Sequence, residues 1–448
     1  MRVLTCLALS VLAPIATAGL PLHGEMRGVT VRDCVQVRYI AGVWVNRQGT
    51  KVAYIVKTPD IARNLNEYQI YVNDIGMMEQ APGRLVLAGE DISGVVWLSD
   101  GSSLALVMPS HGVKAVVILN VETGREEVAA EARAITGFSF DGSANAIAYT
   151  VSETAPGQVL SSLQTPEQIA SGYRVTFGND VGEGPAPDGE PYSLYIRRRG
   201  SRRKWDSPQL ITIRDPLTGK SVTHFDDPER LSLSPDGSRL LFNYMAEIPE
   251  DWKGSPWVRD LVQWGNTKEP IMVLYELKSA KTSLAFKTLG PDSTPLWSSN
   301  SASFLVNAHS PVGSIWEQED VRDHRISGPD ANMFWVNVDS GNIEEVYRNV
   351  PGHHEGALFW RDDGDVMIHA QGDAVLRLHR DRGSWREVER VDLPRTEKDR
   401  FGHPFDVVCA VRALPRPVRR VGSGHEHAPQ IEARRASEGE SFCRTPIR

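Results

Sequence analysis

Leu233-Ser234-Pro235-Asp236-Gly237 runs directly into Ser-Arg-Leu240-Leu-Phe-Asn-Tyr244, and this junction of a tight turn with a β-rich run decides the fold. Proline presets φ at one corner, the aspartate side chain bonds its own backbone, and glycine supplies the positive φ. Five related copies are Trp44-Val-Asn-Arg-Gln-Gly49, Trp97-Leu-Ser-Asp-Gly101, Phe138-Ser-Phe-Asp-Gly142, Trp297-Ser-Ser-Asn-Ser301 and Phe359-Trp-Arg-Asp-Asp-Gly364. The copies lead into strand-like stretches at 52–56, 104–108, 146–151, 240–244, 304–308 and 366–370. Such units cannot bury their faces alone, so they must stack or close on themselves.

A second hairpin follows every copy: 68–73 with 84–88, 115–121 with 125–129, 209–214 with 220–225, 271–277 with 282–287, 332–338 with 342–347, and 374–379 with 384–390. Most of these turn on Glu-Thr-Gly, Leu-Thr-Gly, Asp-Ser-Gly or Asp-Arg-Gly, which again place glycine where a hairpin needs it. Two hairpins per unit make a four-stranded antiparallel sheet. The expected fold is therefore all-β, a β-propeller of about six blades, with a seventh open if the N-terminal strand and 405–414 build one. Uneven glycine spacing, and the lack of a consistent Trp-Asp or Gly-His pair, separate it from the regular WD type. Two stacked β-sandwiches are the competing topology.

Composition bounds the function. The net charge of −8 gives no reason to invoke nucleic acid or an anionic membrane, and 41% hydrophobic residues is ordinary for a soluble globular chain. Arg2, the apolar stretch 3–15 and Ala16-Thr17-Ala18 read as a secretory signal cleaved after Ala18, which predicts a periplasmic or secreted protein. That apolar run is too short to span a bilayer, so no membrane span is expected. The organisation follows as signal 1–18, propeller 30–393 and a low-order tail 394–448, whose texture also raises a truncated or frame-altered end. Cleavage would leave Cys34, Cys409 and Cys443; a bridge between the first two and unpaired thiols are both open.

Strands A to D of each unit alternate in direction, so A–B and C–D turns share one face and B–C connections the other. The B–C connections at 57–67, 152–208, 246–270 and 310–331 read as long, and all project from one rim. Loops on one face of a repeat array are where partners bind. Tyr173, Arg174, Trp252, Trp257, Trp264 and Trp316 lie in these loops and are the candidate binding residues for a peptide or protein ligand. The competing reading is that the tryptophans pack the loops onto the sheets. Arg197-Arg198-Arg199 with Arg202-Arg203-Lys204 reads as a solvated basic stretch of the longest loop rather than a nucleic-acid patch.

Catalytic signatures are missing from the sequence. No Gly-x-Ser-x-Gly elbow occurs, the nearest being Gly439-Glu-Ser441-Phe-Cys443 without the second glycine. There is neither a His-Glu-x-x-His pair nor a phosphate loop. His353-His354-Glu355 and His425-Glu426-His427 read as a connecting loop and a tail rather than metal sites, so no metal, no cofactor and no catalytic residue is assigned.

The stretch from Val31 to Asp74, with Val-Arg-Asp-Cys-Val at its start, Gly42-Val-Trp44 and Tyr71-Val-Asn-Asp74, resembles the entry to the propeller of exported prolyl-oligopeptidase-family serine peptidases. That group includes dipeptidyl and acylaminoacyl peptidases. Ser234-Pro-Asp-Gly-Ser-Arg-Leu240 is similar to the blade pattern of those enzymes and of Tol-system propellers. The resemblance, over roughly residues 30–390, implies a propeller that caps a separate α/β-hydrolase domain and restricts entry to short peptides. None of the hydrolase motifs is matched here, so no catalytic residue is carried over. The expectation is a binding or gating module without chemistry of its own. Alternatives are the front part of a longer serine peptidase and a Tol-like periplasmic scaffold for protein partners.

Overall fold

The computed structural model describes residues 37–392, apart from 62, 64, 78–82, 154–190, 201–203, 227, 292, 323–331, 349–355, 361–363 and 371–373. The proposed signal, Cys34, both histidine groups, the 405–414 island and the tail lie outside the described residues.

The repeated turn is one hydrogen-bonded object. In five copies the N–H of the first turn residue (Asn46, Leu98, Asp141, Ser234, Ser298) donates to the carbonyl five positions on, at 2.8–3.1 Å. The residue three positions on donates back to the first carbonyl and sits at positive φ: Gly49, Gly101, Ala144, Gly237 and Ser301. A side-chain oxygen also takes the N–H five positions on, from Asn46, Asp100, Asp141, Ser234 or Ser298. This explains why the sequence varies while the turn does not: any short oxygen-bearing side chain at either of two positions satisfies the same donor.

The third copy corrects the sequence reading. Its left-handed residue is Ala144, not Gly142. Gly142 is required for a different reason, since a Cβ there would meet the Pro235 carbonyl oxygen at 2.9 Å.

Each turn joins the first two strands of a sheet. A first sheet holds β1 (Tyr39–Val45), β2 (Lys51–Asp60), β3 (Leu65–Asp74) and β4 (Arg84–Glu90), in that order and antiparallel. It belongs to a compact unit of its own. Among the described residues the second unit carries five larger sheets and one two-stranded sheet. The second blade is β5 (Ser93–Trp97), β6 (Ser103–Ser110), β7 (Val113–Asn120) and β8 (Glu126–Ala132). The third contains β9 (Ile135–Phe140), β10 (Ala146–Ser152) and β11 (Pro191–Arg198), whose outer edge is shared by β12 (Gln209–Leu210) and β15 (His224–Asp226). Between these edge strands, β13 (Ile213–Arg214) and β14 (Ser221–Val222) form a separate small hairpin.

The fourth blade is β16 (Glu229–Leu233), β17 (Arg239–Glu247), β18 (Lys268–Glu276) and β19 (Lys281–Leu289). The fifth is β20 (Leu296–Trp297), β21 (Ser303–Ala308), β22 (Asn332–Asn337) and β23 (Ile343–Tyr347). The sixth is β24 (Gly356–Trp360), β25 (Val366–Ala370), β26 (Ala374–Asp381) and β27 (Ser384–Asp392). Within the second unit, antiparallel sheets packed in series in this way are β-propeller architecture.

The second strand of a blade is buried on both faces, which is why it reads as a continuous apolar run instead of an alternating one. In β17, Leu240, Phe242 and Tyr244 pack on Ala148, Leu194 and Ile196 of the third blade. Leu241 of the same strand turns the other way, onto Phe304, Val306 and Phe334 of the fifth. Leu305 and Trp335 then pack on Ile368 and Leu376 of the sixth. Polar links join neighbouring A–B turns: Ser99 Oγ donates to Gly142 O, Gly142 N to Pro235 O at 2.9 Å, and Asp236 N to Ser301 Oγ at 3.1 Å. Ser301 thus takes the left-handed conformation that glycine holds in other copies, and its hydroxyl serves the preceding, fourth blade.

Two connections differ from the sequence reading. In the first blade β2 and β3 pair as far as Asp60 and Leu65, so 57–67 is strand closed by four residues, not a long loop. In the third blade the C strand is β11, inside the stretch 152–208 read as insertion. Its Tyr192-Ser-Leu-Tyr-Ile196 alternation carries the strand signal. The Arg197–Arg199 cluster consequently lies at the end of a strand. Arg197 donates to Ala129 O at 2.8 Å, Arg199 pairs with Glu127 at 2.8 Å, and the Arg199 guanidinium lies 4.9 Å from the Trp205 ring. The arginines clamp the second blade to the third, where the sequence reading had a solvated loop.

Asp100 and Asp236 give the turns a pH dependence. Burial alone would raise both carboxyl pKa values, but hydrogen bonds from serine hydroxyls and backbone N–H groups outweigh it and hold both below the ordinary range. A depressed folded-state pKa gives stability that is fully present above the unfolded value, roughly 3.9, and lost as pH falls through the folded value. Melting temperature should therefore drop as pH falls below about 4. An Asp100→Asn/Asp236→Asn variant should show a shallower drop, because Asn300 already fills the same turn position without titrating. Equal slopes for the two proteins in a calorimetric pH series would contradict this assignment.

Candidate ligand-docking surface

Two B–C connections of the second unit are described in enough detail to build a surface: residues 248–267 of the fourth blade and the described part of 309–331 of the fifth. The first opens with a 3-10 turn, Glu250–Trp252, followed by helix α1 (Pro256–Gln263). Ser255 stands at the N-cap and Pro256 at the first helical position, where a missing N–H costs nothing. Ser255 does not cap the helix, however. Its hydroxyl donates instead to the buried Glu317 carboxylate on helix α2 (Ile315–Arg322) of the next blade.

Glu317 ties the two insertions together. Its Oε2 accepts the Gly313 N–H at 2.7 Å, and its own N–H donates to Ser314 Oγ at 3.1 Å. Trp257 stacks on the His309 ring with centroids 4.5 Å apart and planes 26° apart. Val312 N donates to Lys287 O at 2.9 Å, and Thr288 Oγ1 to His309 O at 2.9 Å, which fastens the fifth-blade loop to the outer strand of the fourth. Behind α2, Arg348 pairs with Glu319 at 2.6 Å and with Glu345 at 2.9 Å. Burial pushes the Glu345 carboxyl up, and the Arg348 guanidinium only partly offsets it. Burial would lower the Arg348 pKa, but Glu345 and Glu319 hold it above its usual value.

The candidate residues separate by depth. Trp252 (2% exposed) and Trp257 (6%) are buried, the former beneath the Lys287 ammonium, which lies 5.6 Å from the ring centroid. Trp316 is half-buried, edge-on to Phe334 at 5.5 Å. Trp264 is 70% exposed at the C-terminal end of α1, and Ile315, 64% exposed, opens α2. Tyr173 and Arg174 lie outside the described residues. The structure thus brings Trp252, Trp257 and Trp316 into the support of the two loops and leaves Trp264 facing water.

A different set escaped the sequence reading. On the opposite face, where the A–B and C–D turns lie, a cavity of about 630 Å³ opens between the fifth and sixth blades, lined in part by Trp335, Trp360 and Trp385. These residues sit on three different strands, β22, β24 and β27, so no local motif announces them. The one available signal is that Trp360 and Trp385 border tight turns.

No family model matches the chain, and no curated protein is similar to it in sequence. Similar solved structures include an acylaminoacyl peptidase from Pyrococcus horikoshii (12% identity, 79% of this chain and 46% of that one, TM-score 0.45). TolB from Acinetobacter baumannii is another (11%, 81% and 82%, TM-score 0.37). A third is the β-propeller domain of the Trilobed protease from Pyrococcus furiosus (11%, 79% and 83%, TM-score 0.41). The chain spans about half the length of the acylaminoacyl peptidase. The fold assignment rests on the sheets described above and not on these likenesses, whose TM-scores all lie below 0.5.

Proposed function

We propose that this chain is an exported β-propeller binding module that takes a peptide or protein ligand on the face bearing the B–C insertions, and that it contributes recognition rather than chemistry. The observation that carries this reading is the joined pair of loops. A buried carboxylate, a Trp–His stack and backbone bonds hold two insertions from neighbouring blades as one platform, and Trp264 and Ile315 stand exposed on it. Trp264, 70% exposed, offers most of its indole to a partner. Exposed aromatics on preorganised surfaces are what binding hot spots are made of, because little entropy is lost when they are covered. The leader pattern in residues 2–18 supports export.

Peptides selected from a random displayed library on the wild-type protein test the reading. Trp264→Ala should weaken them by about 2 kcal/mol, roughly thirtyfold in Kd, and Ile315→Ser by less. Selected peptides that bind both variants as tightly as wild type would remove this face as the docking site.

A further inference from the structure

We infer that the cavity between the fifth and sixth blades is a binding site for a neutral oligosaccharide. It lies on the face opposite the B–C insertions of the same sheets, so the inference stands apart from the function proposed above. Three features of the lining identify the ligand class.

The first is aromatic area. The half-buried indoles of Trp360 and Trp385 edge a volume of about 630 Å³, within the range of small-ligand pockets, while Trp335 is itself buried in the lining. Flat apolar rings of this kind pack against the apolar face of a pyranose. The second is charge. Arg380 lines the cavity, yet its guanidinium forks onto Glu344 at 2.8 and 2.7 Å and lies 4.0 Å from the Trp335 ring centroid. Asp365, buried below, takes Arg377 at 3.3 Å and His379 Nδ1 at 2.6 Å. The charged groups of the lining are thus internally matched, so none of them asks for an ionic ligand, and Arg380 covers the Trp335 face.

The third is a surplus of neutral donors. Asn300 and Asn337 spend their Oδ1 atoms on their own turns, accepting from Ala302 N and Ser298 Oγ, and from Asp339 N, Ser340 N and Ser340 Oγ. Their amide NH2 groups, and both ends of the Asn342 amide, make no hydrogen bond within the described residues. The Trp385 indole N–H is buried and has no acceptor either. An orphaned buried donor is costly unless a ligand or water supplies an oxygen. The matching ligand is uncharged, rich in hydroxyl or acetamido oxygens, and flat enough to stack on indole, which describes a neutral sugar chain.

Isothermal titration and intrinsic tryptophan fluorescence test this with soluble β-glucan, α-glucan and N-acetylglucosamine oligomers, with oligogalacturonate and a short neutral peptide run alongside. At least one neutral oligomer should bind saturably with a change in tryptophan emission. Trp360→Ala should weaken it by about tenfold or more, equal to about 1.4 kcal/mol, and Asn342→Ala severalfold. Asn342 is exposed, so its variant keeps the test valid should Trp360→Ala fail to fold. Trp264→Ala should leave sugar binding unchanged. Silence from every neutral oligomer at millimolar concentration, preference for the acidic oligomer or the peptide, or full binding by the Asn342 variant would overturn the assignment.

Discussion

Phe242→Ala should lower the stability of the protein by about 3–5 kcal/mol, the range for emptying a fully buried aromatic position. Phe242 is fully enclosed on β17, with Phe225 edge-on at 5.3 Å and Tyr244 at 6.2 Å. Around it Ala148, Leu194 and Ile196 come from a different blade, so the cavity would open at a junction between sheets. Collapse there needs one whole sheet to move toward another, which the Gly142–Pro235 link between the third and fourth blades opposes. Melting temperature should fall by roughly 5–8 °C on that basis for a unit of this size. Phe242→Leu, which leaves a smaller void, should cost much less. Loss of under about 1 kcal/mol for the alanine variant in calorimetry would mean that the third and fourth blades are not packed as described.

Glu317→Ala should loosen the docking platform without touching its surface. The substitution strips acceptors from Ser255 Oγ and Gly313 N, one of them in a buried setting, and leaving such donors unsatisfied costs about 1–3 kcal/mol each. Amide exchange over residues 250–266 and 311–322 should accelerate by roughly tenfold or more, while β17, β18 and β22 keep their protection. Peptides selected on the wild type should lose affinity although Glu317 is only 7% exposed and cannot meet them. Glu317→Gln keeps one carbonyl acceptor and should fall between. Unchanged exchange in both loops would show that the two insertions are held independently.

Much of the architecture was legible in the sequence because the repeated turn has strict chemistry. Proline, Asx and glycine at Ser234-Pro-Asp-Gly237 gave the strand ends, and the buried runs at 240–244 and 304–308 followed. The reading erred where strands carry unusual content. Lys57-Thr-Pro-Asp60 looks like loop but is strand, with its proline opposite Asn66 on a half-buried stretch of the pairing. The Arg197–Arg199 run hid the end of β11 because its charges are satisfied by the neighbouring blade. For the site, the sequence identified aromatic loops but not depth. Trp252, Trp257 and Trp264 lie within one short stretch, and only tertiary contacts sort the two buried rings from the exposed one. The cavity of Trp335, Trp360 and Trp385 depended on residues far apart in sequence and was invisible to spacing rules.

The hand-over of hydrogen bonds from Ser99 to Gly142, from Gly142 to Pro235 and from Asp236 to Ser301 has a consequence for redesign. Each module is unfinished by itself: it brings the donor or the bare α-carbon that the following module has been shaped to receive. Shuffling a single repeat into a new position would break two such handshakes at once. Transplanting adjacent repeats as pairs, with their shared seam intact, is the unit in which this scaffold can be recombined.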